Sequence, residues 1–568
     1  MDPLETSDAK PRSTAIFWIV VSLLFLSLSG LSSAFAGYGS WKFGAAGIEF
    51  WWIWDPGSAY LANGINLFEY NVRDLGFMGH PGLPLTLMIA IISRLYYWIS
   101  GAGLHSIPYN LFVAKNLQSI ILFSRLGITV FHLLSFYVLF RFSAGLLKSR
   151  RTSMIAVLGY ATSLFVLIFI NDISSEPFLL IFTLLALIWS RRIPELLSSG
   201  LKREAYLRAA LAGVVSVMAF YTKFMLAAQL LMFIPLFILG ARPYSDQGRW
   251  ENLKRRIPAL LIFSGSALLV FVLGTVLVNW KHVIKGWMEW APGNPQLTGG
   301  GTLANAWHLL VVAIPALATT LLNFKPWLPG FHSQGIFSIL ESGFLFLCII
   351  GFAIYWRAHK PERAYLRWLV GFLLLFMPVL MHRAFWHYLV IHLAIGAIFF
   401  GYLIDKLALK LTKRYPIFSN SFAVAVCFVL LIHGATITLS VMIKWSDIVK
   451  ARQWTPYFTA LQKVSYDGHI GLIDKTDLDL VSGTVTVYAP GTPMERSFKQ
   501  FFVSIDRETS SEELAAQKIE IILEKDQDGN IKMRPVQPAT GQRSAPEFKL
   551  VPTRVVKTDH KISQGAAF

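Results

Sequence analysis

The sequence predicts an all-α polytopic membrane bundle of about 11 transmembrane helices carrying a small C-terminal α/β domain outside the membrane. Three observations predict it. First, of 568 residues 54% are hydrophobic and only 15% charged, whereas soluble domains carry about 25% charged residues. Second, nearly uncharged stretches as long as about 17 residues or more recur along the chain, the length a helix needs to cross about 30 Å of hydrocarbon. Third, the formal net charge of +18 is uneven: residues 444–568 hold 17 Lys/Arg against 16 Asp/Glu, leaving 34 against 17 for residues 1–443. That excess sits in short loops between apolar runs, the positive-inside pattern rather than a nucleic-acid surface. The only two cysteines, Cys348 and Cys427, lie inside apolar runs, which excludes a disulfide framework and suits small buried thiols.

Taken in order, residues 1–13 form a cytoplasmic leader and 14–37 an uncleaved signal anchor, too long for a cleaved signal core. Further spans are expected near 119–147, 153–170, 175–190, 205–222, 224–240, 258–280, 335–356, 366–382, 387–405 and 421–443. Two more runs, 83–100 and 305–323, would raise the total to as many as 13 if they crossed. Charge decides against them. With both kept outside as re-entrant or interfacial helices, the clusters Lys148–Arg151, Arg191–Arg203, Arg249–Arg256, Arg357–Arg367 and Lys406–Arg414 all face the cytoplasm. The transmembrane domain then covers 14–443, with long outer loops at 38–118 and 281–334, and residues 444–568 emerge on the outer side. Re-entrant backbone survives at membrane depth only where it is buried in protein or lines a cavity, so function is sought on that face.

Candidate chemistry gathers there. In Phe50-Trp51-Trp52-Ile53-Trp54-Asp55-Pro56 the aromatics place Asp55 at headgroup level; it suits a general base for a hydroxyl nucleophile, or else a helix N-cap before Pro56. His80, in Gly79-His80-Pro81-Gly82-Leu83-Pro84, stands in a rigid non-helical entry and is either a phosphate ligand or a bystander. Asp172 and Glu176, in Asn171-Asp172-Ile173-Ser174-Ser175-Glu176-Pro177, are either functional acids at the membrane edge or hydrated loop charge. The cations are Arg125, about 9 Å of helix rise inside its span, Lys223 in an outer turn, and Arg383 in Met381-His382-Arg383-Ala384-Phe385-Trp386-His387-Tyr388. Each needs an anionic partner; a lipid phosphate is one.

Asp55 followed by Tyr60, Ala62 and Gly64, then His80-Pro81-Gly82-Leu83, then Arg125 opening a span, resembles the GT-C superfamily of polytopic glycosyltransferases. The nearest branch is that of the protein O-mannosyltransferases and lipid A aminoarabinose transferases. The resemblance covers roughly residues 14–405. Asp55, His80, Asp172 or Glu176, and Lys223 match that branch's outer-loop acid, His-Pro-Pro-Leu-like element, second-loop acids and later Lys, with Gly82 in place of the second Pro; His387-Tyr388 looks like its His-Tyr-Leu element. The resemblance implies transfer of a sugar from a polyprenyl-phosphate donor to an acceptor hydroxyl of a protein, lipid or glycan, by a metal-independent inverting displacement on the outer face. Asp55 would be catalytic, Tyr60, His80, Asp172 and Glu176 would position acceptor and donor, and Arg125, Lys223, Arg383, His387 and Tyr388 would bind the lipid phosphate. No cofactor is expected, although oligosaccharyltransferases within the superfamily use a divalent ion. Such an enzyme of the cell envelope belongs in a bacterial inner membrane. The competing class is a transporter or flippase of lipid-linked sugars, which also uses re-entrant segments and edge charges but typically shows repeated halves, and none are visible here.

After Lys444 the composition changes. Gly483-Thr484-Val485-Thr486-Val487-Tyr488 and Lys518-Ile519-Glu520-Ile521-Ile522-Leu523 alternate as strands do, and Asp528-Gly529 marks a turn after the second.

Overall fold

The computed structural model describes residues 14–27, 57–67, 82–163, 173–241, 249–277, 335–375, 390–414, 463–473, 500–525 and 531–536, with a few single positions between them. The chain is a helical membrane protein. Five helical segments among the described residues are long and apolar enough to cross a bilayer: Ser119–Leu147, Glu176–Ser198, Lys202–Thr222, Leu253–Thr275 and Val390–Leu411. Shorter apolar helices accompany them at Thr14–Ser27, Leu83–Ile99, Ala228–Gly240 and Phe344–Ala358.

Ring contacts give the relative direction of two helix pairs. Trp18 meets Tyr137 and Phe140 at 5.7 and 5.6 Å, while Phe25 meets Phe136 at 4.7 Å, so Thr14–Ser27 runs antiparallel to the long helix Tyr109–Leu147. Tyr365 and Trp368 pack on Phe237, and Phe372 on Phe233, so Arg363–Leu375 is antiparallel to Phe224–Gly240.

The basic loops meet at one end of the bundle. There Lys148 pairs with Glu362 at 3.3 Å and Arg151 with Asp405 at 3.0 Å. Thr152 donates to Asp405 at 2.7 Å, Arg191 lies 4.9 Å over the Tyr365 ring, and Arg256 donates to the carbonyl of Leu239 at 2.8 Å. The charge pattern therefore corresponds to a real polarity of the bundle.

At the other end the long helix continues beyond its apolar part, with non-helical dihedrals at Asn116 (φ −110°, ψ 18°). The run from 83 onward, expected to be re-entrant or interfacial, is the helix Leu83–Ile99. It runs antiparallel to the N-terminal half of the long helix: Tyr97 packs on Tyr109 and Phe112, and Tyr96 on Phe123. A Cβ at Gly127 would lie 2.8 Å from Ile92 Cδ1. One face is buried; Leu87, Ile91, Leu95 and Trp98, spaced as one helical ridge, are exposed.

On this end sits a four-stranded sheet of order β2-β1-β3-β4, formed by β1 (His469–Leu472), β2 (Phe502–Ser504), β3 (Ile519–Lys525) and β4 (Ile531–Pro535). β1 is parallel to β2 and β3, and β3 antiparallel to β4. The alternation of β1 and β3 buries Ile470, Leu472, Ile521 and Leu523 against the same apolar cluster as Tyr97, Phe112 and Ile120. The opposite face, with Ile519 and Ile522, covers Leu514 of the short helix Ser511–Ala516. Lys115 fastens the sheet by donating to the Val464 carbonyl and lying 4.4 Å over the Tyr466 ring. Burial pushes its ammonium below the ordinary lysine value, with Glu520 acting against that shift.

Of the sequence expectations, Asp55, His80, Asp172, Arg383, His387, Tyr388, Cys427, the run 305–323, the strand 483–488, the Asp528-Gly529 turn and most of 421–443 lie outside the described residues.

Candidate functional site

Three helices that start or finish at the basic end have their other termini together. Glu176–Arg191 opens with Glu176 and Pro177, Lys202–Thr222 closes at Lys223, and Arg150–Ala161 ends just past Tyr160. Each charge suits its place. A carboxylate in the first turn faces the positive end of one helix dipole, and an ammonium just past the last turn faces the negative end of another.

They also meet each other. Lys223 Nζ donates to Glu176 Oε1, and both side chains are about 1% exposed. An ion pair removed this thoroughly from water persists only because each charge neutralises the other, since either alone would carry an uncompensated desolvation penalty. Tyr160 is also buried and within electrostatic reach of Glu176. Phe178 packs on Phe131 with ring centroids 4.1 Å apart and the rings tilted by 33°. That contact sets the pair level with the middle of the long helix, roughly 18 Å of rise from Ser119, deeper than a superficial turn.

The long helix presents buried polar groups around its middle and on the side away from the basic loops. Arg125 is 4% exposed, Thr129 0% and His132 2%, and their spacing of four and three residues places them on one helix face. Thr129 Oγ1 donates to the Arg125 carbonyl at 3.1 Å. His132 was not among the residues singled out from sequence; its position seven residues after Arg125 in an otherwise apolar helix was the available signal.

Tyr60, on the helix Gly57–Asn66, is fully buried. It explains one departure from the pattern that the resemblance implies. Gly82 caps the helix Leu83–Ile99 with φ 49°, ψ 28°, a left-handed conformation closed to proline, whose ring fixes φ near −65°. A Cβ there would also run into the Tyr60 ring. Glycine at position 82, where the resemblance expects proline, is thus required by the local backbone and by the tyrosine packed on it.

Of the predicted site residues, the structure joins Glu176 to Lys223, buries Arg125 on the long helix, and packs Tyr60 against the Gly82 element. Among the described residues no group of three or more His, Cys, Asp and Glu side chains is placed to hold a metal ion. Ser174 and Ser175, both fully buried, also belong to this neighbourhood; sequence reasoning treated them as loop.

In comparisons with known proteins, no family model matches the chain, and no curated protein matches it. What fold and site define is a polytopic helical membrane protein with a charged pair buried toward the end opposite its basic loops.

Proposed function

We propose that this protein is a membrane glycosyltransferase that moves a sugar from a polyprenyl-phosphate donor to an acceptor hydroxyl on the outer face of a bacterial inner membrane. The observation that carries the proposal is the Glu176–Lys223 pair, two charges buried within an apolar bundle at the depth of the long helix's middle, on helix termini that point away from its basic loops. Intramembrane charges are costly and mark functional sites more often than structural ones. Arg125, buried on the neighbouring helix, adds a cation at the same end.

The donor's isoprenoid tail lies in lipid and carries its phosphate to Arg125 and Arg383. Asp55 takes the proton of the acceptor hydroxyl, whose oxygen attacks the anomeric carbon. The bond from that carbon to the phosphate oxygen breaks on the opposite face, and the polyprenyl phosphate leaves with the electron pair. Cations near the phosphate stabilise the charge that develops there. A positioned general base contributes about 10²- to 10⁴-fold in rate, so Asp55→Asn keeps the fold and loses most of the activity.

The test is incubation of the purified protein, in lipid, with radiolabelled polyprenyl-phosphate sugars and membrane extracts. Label arriving on protein, lipid or glycan, and failing to arrive with Asp55→Asn, supports the proposal. A fully active Asp55→Asn enzyme removes that residue's role. Label that crosses the membrane still attached to its carrier favours a flippase.

A further inference from the structure

Three consecutive residues at the start of the helix Glu176–Arg191 share an unusual condition. Ser174, Ser175 and Glu176 are each 0% exposed, and Ser174 Oγ, Ser175 Oγ and Glu176 Oε2 have no hydrogen-bond partner among the described residues. Ser175 stands in the N-cap position, where a serine hydroxyl ordinarily accepts from the first turn. Its helical dihedrals (φ −89°, ψ −4°) leave that bond unmade. Buried polar groups are almost always satisfied, and an unsatisfied buried group costs about 1–3 kcal/mol. The two hydroxyls and the free oxygen of a carboxylate whose other oxygen is held by Lys223 form a polar wall that a bound molecule would complete.

The chemistry of the wall selects that molecule. Glu176 Oε2 only accepts, so the partner must donate; the serine hydroxyls donate or accept. A phosphate offers acceptors and negative charge, which the carboxylate repels. A sugar ring offers several hydroxyls that do both, and carbon faces suited to the aromatic surface of Phe131 and Phe178 nearby.

We propose that Ser174, Ser175 and Glu176 Oε2 form a subsite for the hydroxyls of a sugar ring, and that Lys223 is a positioning residue that holds Glu176 through Oε1. This rests on the glycosyltransferase proposal and departs from the phosphate-binding part that the resemblance implies for Lys223. One of its N–H bonds goes to Glu176 Oε1, and the donor phosphate is met elsewhere.

The test measures binding of two probes to the full-length protein in lipid nanodiscs: undecaprenyl phosphate, and undecaprenyl phosphate bearing a hexose or an aminopentose. Wild type binds one of the glycosylated probes more tightly than the bare lipid. Ser174→Ala and Ser175→Ala each cut that preference about fivefold, the size of one neutral hydrogen bond, and Glu176→Gln cuts it tenfold or more. Affinity for the bare lipid phosphate stays unchanged in all three and in Lys223→Gln, whereas Lys223→Arg retains the sugar preference. The serine variants remove only unsatisfied hydroxyls, so they fold even if the charge variants do not. A preference that survives both serine substitutions means the wall holds only water, and overturns the subsite while leaving the glycosyltransferase proposal standing. Loss of bare-lipid affinity in Lys223→Gln overturns the positioning role. A wild-type protein that binds neither probe overturns both proposals.

Discussion

Glu176 and Lys223 are two side chains whose charges could not be held singly where they lie, each about 1% exposed. Breaking a buried pair by removing one partner costs about 3–5 kcal/mol, because the charge left behind has lost its compensation, while replacing both together is often far less damaging. Glu176→Gln and Lys223→Met are therefore each expected to lower the unfolding temperature in detergent markedly. The double variant Glu176→Gln, Lys223→Met should fall by less than the sum of the single changes. Strictly additive losses would mean the two residues do not depend on each other. Their partnership was not legible in the sequence. Both residues were visible as charges beside apolar runs, but they stand 47 positions apart, and no periodicity links the start of one helix to the end of another; only tertiary packing does. Gly82 is the converse case: its departure from the pattern that the resemblance implies was plain in the sequence, and the reason for it, a positive φ beneath Tyr60, was not.

At the scale of elements, apolar runs bounded by charge located the helices closely. The run 224–240 is the helix Phe224–Gly240, and 175–190 is Glu176–Arg191. The bend at Asn116 carried no such mark, because it accompanies the contact with the distant sheet, in which the Asn116 amide reaches Tyr466 Oη at 3.5 Å. Helix crossings depend on small residues. A Cβ at Gly401 would stand 2.7 Å from both Ala156 N and Thr152 O, so Gly401→Ala must push Val390–Arg414 away from Arg150–Ala161. The expected result is a lower unfolding temperature; an unchanged one would contradict this crossing. The sheet makes a prediction about pH. Lys518 and then Ser465 hydrogen-bond the Asp467 carboxylate and hold it below its ordinary value, and the Ser510 backbone and hydroxyl do the same for Glu513. A carboxylate depressed in the folded state stabilises it fully above the unfolded-state value, near 4, and loses that contribution as pH falls through the lower folded value. Hydrogen exchange in β1 and β3 should thus stay slow down to about pH 5 and quicken below about pH 4. Exchange that quickens on raising the pH toward 7, after allowance for the intrinsic rate, would have the wrong sign.

The whole molecule is polar along its length. Basic loops, fastened by Lys148–Glu362 and Arg151–Asp405, occupy one end; the sheet, the turn after Ile99 and the buried pair lie toward the other. The proposed chemistry requires Asp55 to belong to that second end and this end to face out of the cytoplasm. The direct measurement uses intact cells, a membrane-impermeant thiol reagent, and single cysteines introduced after Cys348→Ala and Cys427→Ala. Exposed reporters are available at Leu104 and Asp467 for one end and at Lys148 and Lys202 for the other. Asp55→Cys, Leu104→Cys and Asp467→Cys are predicted to react in intact cells, and Lys148→Cys and Lys202→Cys only once the membrane is opened. If Asp55→Cys reacts together with Lys148→Cys instead, the base and the buried pair serve opposite compartments and the proposed chemistry cannot take place.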